Sequence, residues 1–143
     1  MNFLVATDGS EISETAIEYA VDAASAWDAS LEIVHVLTPE TEIVDGQLLL
    51  PGEQEAMNQG KQLLEQARDR ALEAATARDA EIEVTTELLG GRPAEAIADY
   101  AEESGVNAIY VGHRGRSETH EQIVGSVAKT VVDKATVPVT IIK

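Results

Sequence analysis

The chain alternates short apolar runs with longer segments in which apolar residues recur at helical spacing. The short apolar runs have the length of strands, and they cover residues 2–7, 31–37, 108–111 and 137–142. Residues 81–89 alternate apolar and polar side chains instead, which predicts a strand with one wetter face. Helical spacing predicts helices over residues 10–26 and from Ser126 onward. Another helix is predicted over residues 53–78, which are rich in strong helix formers, and one more over residues 94–103, between a proline and a glycine suited to its ends. The pattern therefore predicts five strands separated by helices.

Residues at the segment boundaries support this alternation. Ser10 can cap the first helix, Pro93 stands at the first helical position of the third, and Gly105 suits the C-terminal cap of that helix. Residues 38–52 contain two prolines and two glycines and predict a loop. The leucines at 48–50 could cover a site from that loop.

Strands that alternate with helices predict an α/β fold. We expect a single Rossmann-like domain over residues 1–143, with a five-stranded parallel sheet in the order 3-2-1-4-5 and helices on both faces. Ligands of such sheets bind beyond the carboxyl ends of the strands, where the strand order reverses. Asp8, after the first strand, and Gly112, after the fourth, are both expected at that edge.

The last strand is predicted to mediate dimerisation. Pro138 has no N–H for a sheet ladder, which places the strand at an edge of the sheet. An apolar edge strand is a liability unless it is paired. Antiparallel pairing with a second copy would cover it, so we expect a homodimer through this C-terminal edge strand.

Composition limits the class of protein. Of the 143 residues, 44% are hydrophobic but only 3% are aromatic, so the core must consist mainly of Ala, Val, Ile and Leu. Cysteine is absent, which excludes disulfides, cysteine-ligated zinc and thiol catalysis. No signal peptide or membrane-spanning segment is recognisable, so a cytoplasmic location is expected.

Charge is the unusual feature of the composition. The chain has 26 acidic and 10 basic residues, a net charge of −16. A wide basic surface cannot form, so neither nucleic acid nor an anionic membrane is an expected partner. The acids are spread along the chain, which is typical of a solvated acidic surface. Because salt screens self-repulsion, the acidic excess suggests a salt-rich cytoplasm, and a halophilic source is a hypothesis.

Candidate binding chemistry is concentrated after the fourth predicted strand. Gly112 and Gly115 follow that strand, and a polar loop then leads to Gly125 and Ser126 at the start of the last helix. Glycine allows a ligand to approach the backbone closely, and the first turn of a helix offers N–H groups to an anion. Taken alone, the two glycines are explained equally well by turn geometry. The P-loop and dinucleotide patterns are both absent.

The spacing G-x-x-G, nine residues, then G-S resembles the nucleotide-binding signature of the universal stress protein family. The resemblance extends along the chain through the opening F-L-V-A-T-D-G-S, the strand I-V-H-V, the G-x-P at residues 91–93 and the terminal V-P-V. It implies an ATP-binding, stress-response regulatory protein with slow or no hydrolysis. It also implies that Mg²⁺ could bridge the phosphates.

The resemblance implies roles for individual residues as well. Ala6, Thr7 and Asp8 would meet adenine and ribose, and Val36 would contact adenine through its backbone. Gly112 would lie by the ribose. The contacts implied around the phosphates are Arg114, Gly115, Gly125, Ser126 and Val127. Arg114 and Arg116 are two of only six arginines in an acid-rich chain, which favours phosphate contact for both, although Arg116 could form a surface ion pair instead.

The loop between the glycines departs from the family pattern. It carries Glu118 and Glu121, where many nucleotide-binding members have small, apolar and basic residues. These carboxylates would oppose a triphosphate or could hold a metal, but acidic loop residues are more often solvated, and no metal ligands can be assigned. The alternative prediction is therefore a dimeric stress-response interaction module that does not bind ATP.

The remaining polar residues do not predict catalysis. Asp8 could simply cap its turn, and His35 is expected to be a packed or hydrogen-bonded residue and not a base. His113 and His120 lack a third ligand at a suitable spacing, so zinc is not expected. The sequence has no Walker lysine and no recognisable Ser–His–Asp arrangement. The chain is expected to be at most a slow ATPase. Trp27 is expected in the core or packed at the end of its helix.

Overall fold

The computed structural model describes residues 1–38, 42–44, 47–49, 52–114 and 125–143. Its elements in chain order are β1 (Asn2–Ala6), α1 (Glu11–Trp27), β2 (Ser30–Leu37), β3 (Glu42–Val44), β4 (Gln47–Leu49), α2 (Glu53–Ala77), β5 (Val84–Gly90), α3 (Pro93–Ser104), β6 (Ala108–Gly112), α4 (Ser126–Lys134) and β7 (Val139–Ile142).

Five strands form one parallel sheet in the order β5-β2-β1-β6-β7. Numbered along the chain without the short β3 and β4, this order is 3-2-1-4-5, so the predicted fold is confirmed. Val5 in the central strand pairs with Ile33 on one side and Tyr110 on the other. The order reverses between β1 and β6, and β7 lies at an edge of the sheet.

Helices cover both faces of the sheet, as predicted. Successive residues of β1 point to opposite faces, so Phe3 and Val5 pack under α1 and α2, whereas Leu4 packs under α3 and α4. The buried side chains are mostly Ala, Val, Ile and Leu. Alanines on the inner face of α1, such as Ala16 and Ala20, are fully buried and let the helix lie close to the sheet.

Local signals at the helix ends are confirmed. The Ser10 hydroxyl accepts a hydrogen bond of 3.3 Å from the Ser13 N–H and caps α1. Pro93 begins α3. Gly105 ends the same helix with φ +66°, a left-handed conformation that glycine adopts without a steric penalty.

Two predictions need correction. Residues 38–52 are not only a loop, because β3 and β4 form an antiparallel hairpin in which Ile43 pairs with Leu48. The sequence carries a hairpin signal between these strands, Asp45-Gly46, and Leu50 lies outside the described residues. Trp27 does not enter the core, since it is 65% exposed at the end of α1.

Two strands are shorter than predicted. β5 begins at Val84 and β7 at Val139, three and two residues later than the sequence pattern indicates. The preceding residues still bond to the sheet, because the carbonyl of Pro138 accepts from the Ile109 N–H at 3.0 Å. No helix within the described ranges is long and apolar enough to span a membrane.

Candidate functional site

A cavity of about 900 Å³ lies at the carboxyl edge of the sheet, where the strand order reverses. Its walls come from the ends of β1, β2 and β6, the starts of α3 and α4, and the first half of α2. Its volume falls within the range of about 300–1,000 Å³ typical of small-molecule sites.

The turn after β1 is organised by its own side chains. The Thr7 hydroxyl lies 2.9 Å from the Ser13 hydroxyl and accepts a hydrogen bond of 3.2 Å from the Gly9 N–H. Asp8 Oδ1 accepts from the Ser10 N–H at 3.0 Å, so Asp8 does cap the turn. Asp8 and Thr7 also line the cavity. The turn therefore holds these two residues at the cavity without help from a ligand.

The end of β2 is tied to the same turn. The Thr7 N–H donates to the Val34 carbonyl at 2.9 Å, and His35 Nδ1 lies 2.8 Å from the Thr7 carbonyl oxygen. His35 is thus hydrogen-bonded, as the sequence indicates. Val36 and Thr38 follow it along the cavity wall.

Gly112 lines the cavity at the end of β6, but packing also explains why this residue is a glycine. A Cβ atom at this position would lie 3.0 Å from Ile12 Cγ2 and 3.3 Å from the Arg114 carbonyl oxygen. Because the second contact is with backbone, it cannot relax by a side-chain rotation. Gly112 therefore serves the junction of β6 and α1 as well as the cavity wall.

The start of α4 forms the wall next to Gly112. Gly125 is buried, precedes the helix without a side-chain cap, and donates its N–H to the His113 carbonyl. Val127 and Ala128, in the first turn, line the cavity. N–H groups in a first helical turn have no acceptor within the helix, and they carry the positive end of its dipole. This wall can therefore receive an anion.

Arg114 supplies the cationic side chain on the same side. Its Nε is buried and has no hydrogen-bond partner among the residues that the structure describes, and the residue lines the cavity. A buried donor without a partner costs about 1–3 kcal/mol relative to a bonded one. A ligand oxygen would satisfy this donor, so the cavity suits an anionic group.

The structure brings most of the predicted site residues to this one cavity. Those that line it are Ala6, Thr7, Asp8, Val36, Gly112, Arg114, Gly125 and Val127. Ser126 begins α4 but is exposed and does not line the cavity. Gly115 and Arg116 lie outside the described residues, as do Glu118, His120 and Glu121.

Sequence reasoning missed the wall formed by α2. Its members are Gly52, Glu55, Ala56, Gln59, Gly60 and Leu63. The available signal is a glycine inside a helix otherwise rich in strong helix formers. In the structure, a Cβ atom at Gly60 would lie 2.8 Å from Leu88 Cδ1, and the bare backbone lets α2 approach the strand ends.

The cavity offers no preformed metal centre within the described part of the chain. No group of three or more His, Asp or Glu side chains there is arranged to hold a metal ion.

The model of the universal stress protein family matches residues 1–143. The chain belongs to the universal stress protein family. It is 34% identical over 149 aligned positions to universal stress protein YxiE of Bacillus subtilis, and the match covers 98% of this chain and 97% of the relative.

Solved structures of the family have the same fold. A universal stress protein from Archaeoglobus fulgidus superposes with a TM-score of 0.77 at 29% identity, over 100% of this chain and 98% of the other. Another structure of a universal stress protein from Archaeoglobus fulgidus, in complex with dAMP, gives a TM-score of 0.75 at 27% identity, with 100% and 98% coverage.

Proposed function

We propose that this universal stress protein is a stress-response regulator that binds an adenine nucleotide, with ATP as the expected ligand. The observation that carries the proposal is the buried, unpartnered Nε of Arg114 beside the first turn of α4 in one cavity. Both are donors suited to phosphate oxygens. The dAMP complex of the Archaeoglobus fulgidus relative supports the choice of an adenine nucleotide.

The nucleotide would span the cavity from the strand ends to α4. Adenine and ribose would lie against Ala6, Thr7, Asp8 and Val36, with Gly112 beside the ribose. The phosphates would lie around Arg114, Gly125 and Val127, together with the signature residues Gly115, Arg116 and Ser126. The N–H of Gly125 is already bonded to the His113 carbonyl, so this glycine would contribute close backbone approach and not a hydrogen bond. Mg²⁺ that enters together with ATP would neutralise part of the phosphate charge, since the described residues form no ligand group of their own for a metal.

Hydrolysis would be slow or absent. The sequence lacks a Walker lysine. His35 lines the cavity, but its Nδ1 is engaged by the Thr7 carbonyl, so it is poorly placed to activate water through that nitrogen. A bound nucleotide would then act as a stable signal that changes a partner surface.

Calorimetric titration with ATP and Mg²⁺ tests the proposal on wild type, Arg114→Gln and Arg92→Gln. Arg92 is the matched control, because it also carries one positive charge but its side chain is 85% exposed and does not line the cavity. Loss of one hydrogen bond to a charged group costs about 1.5–3 kcal/mol, so Arg114→Gln should weaken binding by roughly tenfold or more. Arg92→Gln should change it by less than about twofold. Absence of binding by wild type, or equal effects of the two variants, would overturn the proposal.

The alternative is a dimeric stress-response interaction module that does not bind ATP. The net charge of −16 and the loop residues Glu118 and Glu121 favour it, because both oppose an anionic ligand. Under this alternative, the titration gives no heat with wild type, and nucleotide is absent from protein purified under native conditions and then heat-denatured.

A further inference from the structure

The cavity contains a carboxylate that the proposed phosphate site does not use. Glu55 lines the cavity from the first turn of α2. It makes no hydrogen bond or ion pair with any residue in the described part of the chain. By contrast, the neighbouring Gln54 donates to Asn58 along the helix surface at 3.2 Å. The side chain of Glu55 is exposed, and an acid in a first helical turn is favoured by the helix dipole. The dipole does not explain why this acid stands at the wall of an anion-binding cavity.

Packing of α2 holds Glu55 at the cavity. A Cβ atom at Gly60 would lie 2.8 Å from Leu88 Cδ1 and 3.2 Å from Leu37 Cδ2, so the helix backbone lies directly over the ends of β5 and β2. Gln59, one helical turn after Glu55, lines the cavity as well. The polar side of this wall is therefore built from Glu55 and Gln59.

Charge then orients a nucleotide in the cavity. Arg114 and the first turn of α4 attract the phosphates, and Glu55 repels them. An ionised carboxylate can only accept hydrogen bonds. Its suitable partner is the opposite end of the ligand, where a nucleoside carries N–H donors on its base and O–H donors on its ribose.

We propose, on the basis of the nucleotide-binding function above, that Glu55 is a specificity-determining residue of this site. Its carboxylate accepts a hydrogen bond from the base amino group or from the ribose 2′-hydroxyl of the bound nucleotide. The wall formed by α2 thus selects nucleotides that present a donor at the end opposite the phosphates.

Glu55→Gln tests the proposal, because repulsion of the phosphates and recognition of the nucleoside predict opposite changes in the affinity for ATP. If Glu55 only repels the phosphates, removing its charge tightens ATP binding. If it accepts a hydrogen bond from the nucleoside, the neutral amide weakens binding, by about fivefold to tenfold, because bonds to charged groups are the stronger ones. Glu65→Gln is the matched control, since Glu65 is an exposed glutamate of the same helix, as Glu55 is, but does not line the cavity.

Titration of both variants with ATP, ITP and dATP identifies the donor. ITP replaces the amino group of adenine with a carbonyl, and dATP lacks the 2′-hydroxyl. The inference predicts that wild type discriminates against one of these analogues and that Glu55→Gln loses the discrimination, whereas Glu65→Gln keeps it. ATP binding by Glu55→Gln that is equal to or tighter than wild type overturns the inference alone. A wild type that binds none of the three nucleotides overturns the proposed function too.

Discussion

Gly60 of α2 and Leu88 of β5 are so close that a Cβ atom on the glycine would lie 2.8 Å from the leucine Cδ1. Glycine inside a helix costs about 1 kcal/mol relative to alanine. Close packing offsets that cost here, because the bare backbone brings α2 onto the strand ends and makes it a wall of the cavity. The position of this wall therefore depends on the absence of a side chain at Gly60.

Gly60→Val should lower the free energy of unfolding by about 1–3 kcal/mol, the usual effect of overpacking. The added atoms would meet Leu88, Leu37 and His35, and at least one of these would have to shift. Gly90→Val is the control, since a Cβ atom there meets nothing within 4 Å and should be nearly neutral. Urea unfolding of both variants provides the measurement, and equal losses would contradict this account of Gly60.

Gly112→Ala should destabilise the protein even without a nucleotide. Its methyl group would press on Ile12 and on the Arg114 carbonyl, at an expected cost of about 1–3 kcal/mol. A double-mutant cycle with Ile12→Ala tests the cause. Because truncating Ile12 makes room for the methyl group, the two substitutions should couple by about 0.5 kcal/mol or more. Additive effects would show that the contact with Ile12 does not cause the loss of stability and would leave the Arg114 carbonyl as the obstructing group.

Much of the fold could be predicted because its signals are local. Ser10 and Gly105 mark helix ends through the chemistry of single residues, and alternating strands and helices predict a parallel sheet covered on both faces. The alternation alone does not determine the strand order, since a sheet in the order 2-1-3-4-5 has the same succession of elements. The wall at Glu55 could not be predicted, because it depends on contacts between Gly60 and strands that are distant in sequence. The prediction for Trp27 shows where helical spacing alone is insufficient. The spacing assigns this residue to the inner face of α1, but Trp27 is the last residue of the helix and its side chain is exposed.

Stability should fall above about pH 10 in part through Tyr100. Burial raises the pKa of this tyrosine, and the nearby Glu32 carboxylate, which accepts its hydroxyl hydrogen bond at 2.9 Å, adds to the shift. The folded state therefore keeps the Tyr100 proton to a higher pH than the unfolded state does. The resulting contribution to the free energy of unfolding is fully present below the pKa of Tyr100 in the unfolded state, and it is lost as the pH rises through the pKa in the folded state. Tyr100→Phe should show a shallower decline above about pH 10 in unfolding experiments. A decline as steep as that of wild type would contradict this assignment.

Added KCl should raise the free energy of unfolding. Glu14 and Glu18 on α1 bond to Arg70 of α2 at 3.0 and 2.9 Å, and Asp22 bonds to Arg78 at 3.2 Å. These pairs are partly exposed, and such pairs contribute at most about 1 kcal/mol each, so screening them costs little. Salt also screens the self-repulsion of a chain with net charge −16, and this raises the free energy of unfolding by more than the screened ion pairs lower it. Denaturation at a series of KCl concentrations measures how the free energy of unfolding changes with salt. A free energy of unfolding that stays unchanged or falls would contradict the halophilic hypothesis.

The open edge of β7 should mediate a homodimer. The carbonyls of Pro138 and Ile142 bond to N–H groups at β6 and just beyond it, and strand backbone groups alternate in direction. Val139 and Ile141 therefore direct their N–H groups toward the open edge. Val139→Pro removes one of these donors and should shift sedimentation equilibrium toward monomer, whereas Val139→Ala, which trims the side chain but keeps the N–H, should stay dimeric. A monomeric wild type, or a dimer that persists in the Val139→Pro variant, would rule out pairing through this strand.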